Sequence, residues 1–238
     1  MDQKLRKAEV HLTYHCDLNC PGCNRACFNK KSNAPPTLSE DRFLEILMQI
    51  EKYGFKKDLT FIGGEPTLHS QCIEFLKTGQ AYGFQQTIWS NAYSDRSQKV
   101  LEEIRSLGIA RVCEGTRKIE GALLGFSNPM IFCSPVDLGI TRPPCKWSIH
   151  CGYSADETGF TPCPIGGMIA HYSAPEAYAE SLHLLTDPEY MDQVYSLLCK
   201  HCGSFVQMEE SYKKSARHKI QNVNGTMMTS FWRTVFQV

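Results

Sequence analysis

The spacing of apolar and polar positions changes period repeatedly over the first 134 residues. Residues 8–14 (AEVHLTY) read as a short strand. After a cysteine-rich loop closed by Pro35 and Pro36, Phe43, Leu44, Leu47, Met48 and Ile50 fall near helical spacing. They predict a helix over 40–53, capped by Thr37 or Ser39 and stopped at Gly54. Residues 58–62 (DLTFI) predict a buried strand broken by Gly63-Gly64-Glu65-Pro66, followed by a helix over 70–82 that ends near Gly83. A strand over 85–89 ends at Ser90-Asn91. A helix over 95–107 stops at Gly108, and 109–113 (IARVC) is a further strand. Residues 116–128 are ambiguous, with one or two helical turns, and 129–134 (PMIFCS) read as another strand.

This alternation predicts parallel β/α units from residue 8 to about 134. It then stops. Pro135, Pro143, Pro144, Pro162 and Pro164 crowd a stretch in which SIHCGY and GFTP predict a short hairpin around SADET. Helix returns over 173–202, in two pieces broken near Asp187-Pro188. The tail, 204–238, is first polar and basic, then apolar. It remains open as a peptide-binding element.

Composition narrows the function classes. The chain has 238 residues, 42% apolar and 21% charged, with 25 Lys plus Arg against 25 Asp plus Glu. A neutral balance gives no electrostatic reason to expect nucleic acid or an anionic membrane as partner. No run of about 18 apolar residues marks a membrane span. The N-terminus lacks the apolar stretch of a signal peptide, so a cytoplasmic location is expected. The 12 cysteines are the anomaly. A reducing compartment disfavours disulfides, so metal binding is the better reading, and their grouping suggests two sites.

The first site is Cys16-x3-Cys20-x2-Cys23. Three thiolates on one short loop suit three corners of a cubane cluster and leave the fourth iron open. The alternative is a zinc knot, with His15, His11 or Cys27 as fourth ligand. One β/α unit later, Gly63-Gly64-Glu65-Pro66 allows close backbone approach to a ligand, and carbonyls there can accept from an ammonium group. Together the two motifs resemble the radical S-adenosylmethionine (SAM) superfamily, over roughly residues 8–135. The resemblance implies a partial (β/α)6 barrel. It also implies a [4Fe–4S] cluster on Cys16, Cys20 and Cys23, and SAM contacts from Gly63, Gly64, Glu65, Pro66 and the Ser90-Asn91 turn. Gly22 departs from the aromatic or large apolar residue the family often has before the third cysteine. Cys27 does not extend the motif and reads as a small buried residue. Cys72, Cys113 and Cys133 read as core residues.

Cys145, Cys163, Cys199 and Cys202 form the second constellation. Behind a radical SAM core they resemble the twitch domain, a shortened SPASM domain, and so imply four ligands to an auxiliary [4Fe–4S] cluster; a zinc ribbon is the alternative. Cys151 is the competing ligand for Cys145. Cys145 is preferred because the 17-residue gap to Cys163 resembles that of the twitch-type 2-deoxy-scyllo-inosamine dehydrogenases. The expected organisation is a radical SAM core (1–135), a small Cys-rich domain of β-hairpin plus helix (136–203) and a tail (204–238).

The resemblance implies reductive cleavage of SAM to a 5′-deoxyadenosyl radical that takes a hydrogen atom from substrate, with a donor such as flavodoxin or ferredoxin. A fully ligated second cluster suits electron transfer, so two-electron oxidation of a small metabolite is expected. Modification of a ribosomal peptide competes with it, although only 15 residues precede Cys16. A non-enzymatic Fe–S or zinc module is the alternative of another class. Glu114, Asp137 and Arg142 are candidate substrate residues.

Overall fold

The computed structural model of the chain describes residues 7–20, 22–27, 34–115, 131–139, 152–204, 219–223 and 226–238. Cys145, Cys151, Arg142 and the ambiguous 116–128 segment lie outside the described residues.

The β/α alternation folds as its pattern predicts. Strands β1 (Ala8–Thr13), β2 (Asp58–Gly63), β3 (Gln85–Ser90) and β4 (Arg111–Glu114) pair in parallel, in the spatial order β4-β3-β2-β1. Helices α1 (Glu40–Lys52), α2 (Cys72–Ala81) and α3 (Asp95–Leu107) connect them. Ser39 caps α1 by accepting from the Arg42 amide, and Ser94 caps α3 by accepting from Ser97. Gly108 ends α3 in the left-handed conformation at φ 63°.

The three helices cover one face of the sheet. Ala8, Val10 and Leu12 of β1, Leu59 and Phe61 of β2 and Ile88 of β3 join Phe43, Ile46, Phe75, Leu76, Leu101 and Ile104 of the helices in one buried core. Strand periodicity sends the intervening residues to the opposite face. On β1 these are Glu9, His11 and Thr13, all buried.

Strands β5 (Tyr153–Ala155) and β6 (Phe160–Thr161) form a hairpin shifted from the expected one, since Ser154 and Ala155 of the predicted turn belong to the strand and residues 148–151 lie outside the described residues. Strand β5 pairs in parallel with β1, so the sheet runs on to six strands. Helix returns earlier than the periodicity predicts. It forms α5 (Gly166–Ser173), 3₁₀ turns occupy Pro175–Ala177 and Leu182–Thr186, and α6 (Pro188–Cys199) starts at the predicted break. Pro175 and Pro188 each open a new turn because proline fits a first helical position but not a helix interior. The strand expected at 129–134 is reduced among the described residues to one bridge, Phe132 to Met228, ahead of the short α4 (Pro135–Leu138).

The apolar end of the tail is structural. It forms the hairpin β7 (Gln221–Val223) and β8 (Thr226–Met228), then α7 (Ser230–Phe236). Trp232 and Phe236 pack edge-on against Phe132, with ring centroids 5.2 Å apart in both pairs. They belong to a second core with Ile165, Met168, Ile169, Val194 and Leu198. No helix among the described residues is long and apolar enough to cross a membrane.

Candidate active site

The Cys16–Cys23 loop leaves the C-terminal end of β1, where parallel sheets place their ligands. Its stem is clamped to the end of β2. Gly64 donates its amide to the Thr13 carbonyl at 2.7 Å, and Glu65 to the His15 carbonyl at 2.8 Å. A Cβ on Gly63 would stand 2.1 Å from the Thr13 oxygen, and one on Gly64 2.2 Å from the His15 oxygen. Both positions therefore need glycine to bring the two strand ends together. Among the described residues the Gly64 carbonyl accepts no hydrogen bond.

Glu65 is fully buried and ties three segments together. Its Oε1 accepts from the Thr67 amide (3.1 Å), the Thr67 hydroxyl (2.6 Å) and Ser90 Oγ (2.8 Å); its Oε2 accepts from the Asn91 amide (2.7 Å). Burial raises its pKa, and the four donors oppose that rise. Pro66, also buried, opens the 3₁₀ turn that Glu65 caps. Asn91 then reaches the cysteine loop. Its Nδ2 donates to Asp17 Oδ1 at 2.8 Å and lies 3.6 Å from Cys16 Sγ. Within the described residues, Glu65, Ser90 and Asn91 hold the site together through one another, a role their motifs did not disclose.

Cys16, Cys20 and Cys23 are all partly accessible free thiols. The Leu18 amide points at Cys16 Sγ from 3.4 Å. Burial holds the Cys16 thiol up at about 11. Cys27, buried as expected, shares a hydrogen bond with Cys23; that contact draws Cys23 down to about 6 and drives Cys27 well up. Among the described residues no group of three or more His, Cys, Asp or Glu side chains is arranged to hold a single metal ion. A cubane makes a different demand: each thiolate binds its own iron, so the sulfurs need not converge on one point. Three soft thiol ligands, with amide donors aimed at one sulfur, fit an iron–sulfur cluster. Gly22 sits in the left-handed region at φ 63° and donates its amide to Thr226 Oγ1 at 3.0 Å. The backbone there explains why the position carries no large side chain.

Of the second cysteine group, Cys163 lies just before α5 and Cys199 ends α6, two helices that pack against each other. Cys163 precedes α5, and its carbonyl accepts from the Gly166 amide at 3.0 Å. A Cβ on Gly166 would stand 3.2 Å from Leu198 Cδ1, next to Cys199 at the end of α6. Cys202 follows in a turn, its amide donating to the Cys199 carbonyl. Cys145 lies outside the described residues. Of the expected core cysteines, Cys72 and Cys133 are buried and Cys113 is partly accessible.

Glu114 ends β4 in an exposed ion pair with Arg105. Asp137 accepts the Phe231 amide at 2.8 Å and so binds the first turn of α7. A buried group on the polar face of the sheet was missed by the motif reading. Arg25 Nη2 pairs with Glu9 Oε2 at 3.1 Å, and the His11 ring stacks obliquely on Tyr14, with centroids 5.3 Å apart. Burial and the Arg25 charge hold His11 well below the usual imidazole pKa, and the Pro164 backbone nearby opposes them. Neither ring nitrogen makes a hydrogen bond of normal geometry. Alternating polar residues on β1 were the available signal.

Residues 10–113 match the family model described as Radical SAM superfamily. Over 119 residues the chain is 33% identical to a protein of Flammeovirga pacifica named S-adenosylmethionine-dependent nucleotide dehydratase, covering 47% of this chain and 40% of the relative. A Lacinutrix mariniflava protein of the same name is 32% identical over 90 residues, 37% of this chain and 19% of the relative. The chain thus spans less than half the length of these curated relatives. The crystal structure of BtrN in complex with AdoMet and 2-DOIA superposes with a TM-score of 0.54, at 14% identity, over 85% of this chain and 94% of that one. At that identity the likeness shows a shared fold.

Proposed function

We propose that the chain, whose residues 10–113 match the Radical SAM superfamily model, is an oxidoreductase that removes two electrons from a small hydroxyl-bearing metabolite, using a second [4Fe–4S] cluster. The observation that carries the catalytic part is the clamped assembly of the Cys16–Cys23 loop, the Gly63–Pro66 turn and the Ser90-Asn91 turn at one end of the parallel strands.

Cys16, Cys20 and Cys23 would hold the first cluster, and the Gly64 carbonyl, which accepts no hydrogen bond among the described residues, would accept from the amino group of SAM. Cluster and SAM, when bound, supply a low-potential electron and a carbon radical able to take a hydrogen atom from an unactivated carbon. The protein's part is positional. Glu65 fixes the glycine turn against the Ser90-Asn91 turn, and Asn91 orients Asp17 and the Cys16 sulfur. The β1 polar face presents the substrate side, and the tail, through Thr226, backs the cysteine loop. Cys163, Cys199 and Cys202, with Cys145 as fourth ligand, would hold the second cluster and accept the second electron.

The names of the two curated relatives favour a second reading, dehydration of a nucleotide, which loses water and needs no electron acceptor. The experiment is anaerobic reconstitution, reduction and assay of 5′-deoxyadenosine. It is followed by mass spectrometry of candidate substrates for loss of two hydrogens or loss of water. No 5′-deoxyadenosine from an iron-loaded protein overturns the radical SAM reading. Loss of water from a product formed by the Cys199→Ala/Cys202→Ala variant overturns the redox role of the second cluster.

A further inference from the structure

The polar face of the sheet carries groups that the steps above leave unused. Glu9 and His11 stand two residues apart on β1, so both side chains leave the same face. Arg25, just past Cys23, returns to that face to meet Glu9, and the two side chains are 4% and 9% exposed. The pair occupies one nitrogen of the guanidinium. Among the described residues its Nε and Nη1 are buried without a partner, as is Oδ1 of Asn24, next to it in sequence, and neither ring nitrogen of His11 makes a hydrogen bond of normal geometry, although the Pro164 backbone lies against the ring. An unmet buried polar atom costs about 1–3 kcal/mol, so this many on Arg25, its neighbour Asn24 and His11 are not a packing solution.

Their chemistry says what would meet them. Arg25 offers donors only, Asn24 Oδ1 is an acceptor, and a neutral imidazole offers one of each. The Arg25 charge is already balanced by the Glu9 carboxylate. A phosphate or carboxylate brings acceptors alone, beside Glu9, and leaves Asn24 and one imidazole nitrogen unmet. A hydroxyl group donates once and accepts twice, and two or three hydroxyls on one ring satisfy the set. We propose that Arg25, His11 and Asn24 form the subsite that binds the hydroxyls of a polyhydroxylated ring, a cyclitol or the ribose of a nucleoside, in the substrate. The proposal rests on the small-molecule reading above and assigns that substrate's position.

The test uses the reconstituted, unreduced protein saturated with SAM, titrated with myo-inositol, cytidine and inorganic triphosphate. Binding of myo-inositol identifies a cyclitol-like ring and binding of cytidine a ribose; either is expected, and inorganic triphosphate should not compete. His11→Leu should weaken that binding by about tenfold or more while melting at or above the temperature of the unsubstituted protein, because it deletes two unmet buried atoms. His11→Gln, which keeps a donor and an acceptor, should bind within a few-fold. Arg25→Lys keeps the charge against Glu9 but loses the guanidinium donors, and should weaken binding as His11→Leu does. Binding of triphosphate alone overturns the proposal. So does failure of both ring probes to bind, displacement of the ring probes by SAM, or a His11→Leu protein that binds normally or fails to fold. Production of 5′-deoxyadenosine by the unsubstituted protein reads the radical SAM function separately, so the two can fail independently.

Discussion

Replacing Glu65 by Gln changes one oxygen to an amide nitrogen at the junction of three segments. The retained oxygen can keep the three donors from Thr67 and Ser90, and the new amide group then faces the Asn91 N–H across 2.7 Å. One charge-assisted hydrogen bond is lost, worth about 1.5–3 kcal/mol, and a donor is left against a donor, at about 1–3 kcal/mol. Removing the buried charge returns part of this, because burial raises the Glu65 pKa. The net loss is about 2–4 kcal/mol. In a chain of this size each kcal/mol moves the melting temperature by about 2–4 °C, so the variant should melt about 5–15 °C lower. The assay is anaerobic thermal unfolding of the protein without SAM, paired with 5′-deoxyadenosine production after reconstitution. Asn91 is held by the same carboxylate and touches Asp17 and Cys16, so SAM cleavage should fall in the same variant. A Glu65→Gln protein that melts within about 2 °C of the unsubstituted one, and is impaired only in SAM affinity, would show Glu65 to be a ligand contact instead of the fastener described here.

Further outcomes follow from other parts of the structure. Ala at Cys16, Cys20 and Cys23 together should abolish 5′-deoxyadenosine formation and reduce iron from about eight to about four per chain, as metal analysis would read. The Cys199→Ala/Cys202→Ala protein should also retain about four irons and cleave SAM without completing the oxidised product. Trp232→Ala should cost about 3–5 kcal/mol, since the ring is fully buried against Phe132 and Phe236 and its Nε1 donates to the His201 carbonyl at 2.7 Å. His11 has a depressed pKa in the folded state, so its contribution is intact above the unfolded imidazole value of about 6.5 and is lost as pH falls from there. His11→Leu should therefore flatten the acid side of the stability profile, and parallel acid limbs for the two proteins would refute that assignment.

Much of the core was legible because its signals are local. Ser39, Ser94 and Gly108 end or begin helices by bonds within a few residues, β2 is a short apolar run, and β3 is a short stretch of alternating burial, each closed by a turn. The cysteine spacing and the Gly63-Gly64 turn pointed, for the same reason, to the family model that residues 10–113 match. What failed depended on distant partners. Phe132 is drawn away from a longer strand into a bridge with Met228 and a cluster with Trp232 and Phe236, residues about a hundred positions on. The tail's apolar stretch reads equally well as a free binding element until that cluster is seen. Glu65, Ser90 and Asn91 were found as motif residues, but their bonds to one another join separate turns and have no sequence period.

The β1 strand shows where sequence pattern and function part. Ala8, Val10 and Leu12 alternate with Glu9, His11 and Thr13, which is the pattern of a strand with one face in the core and one in water. Here both faces are buried. A solvated face would satisfy its polar groups with bulk water; a buried one must satisfy them with protein or with a ligand. Thr13 has its hydroxyl partner in Thr37, and Glu9 has Arg25. Among the described residues His11 makes no hydrogen bond of normal geometry, and Arg25 keeps two nitrogens unmet. The alternation is the same in either case, so the sequence pattern alone cannot distinguish a wet surface from the wall of a binding site. The distinction appears only when a second layer, here the cysteine loop that carries Arg25, closes over the face.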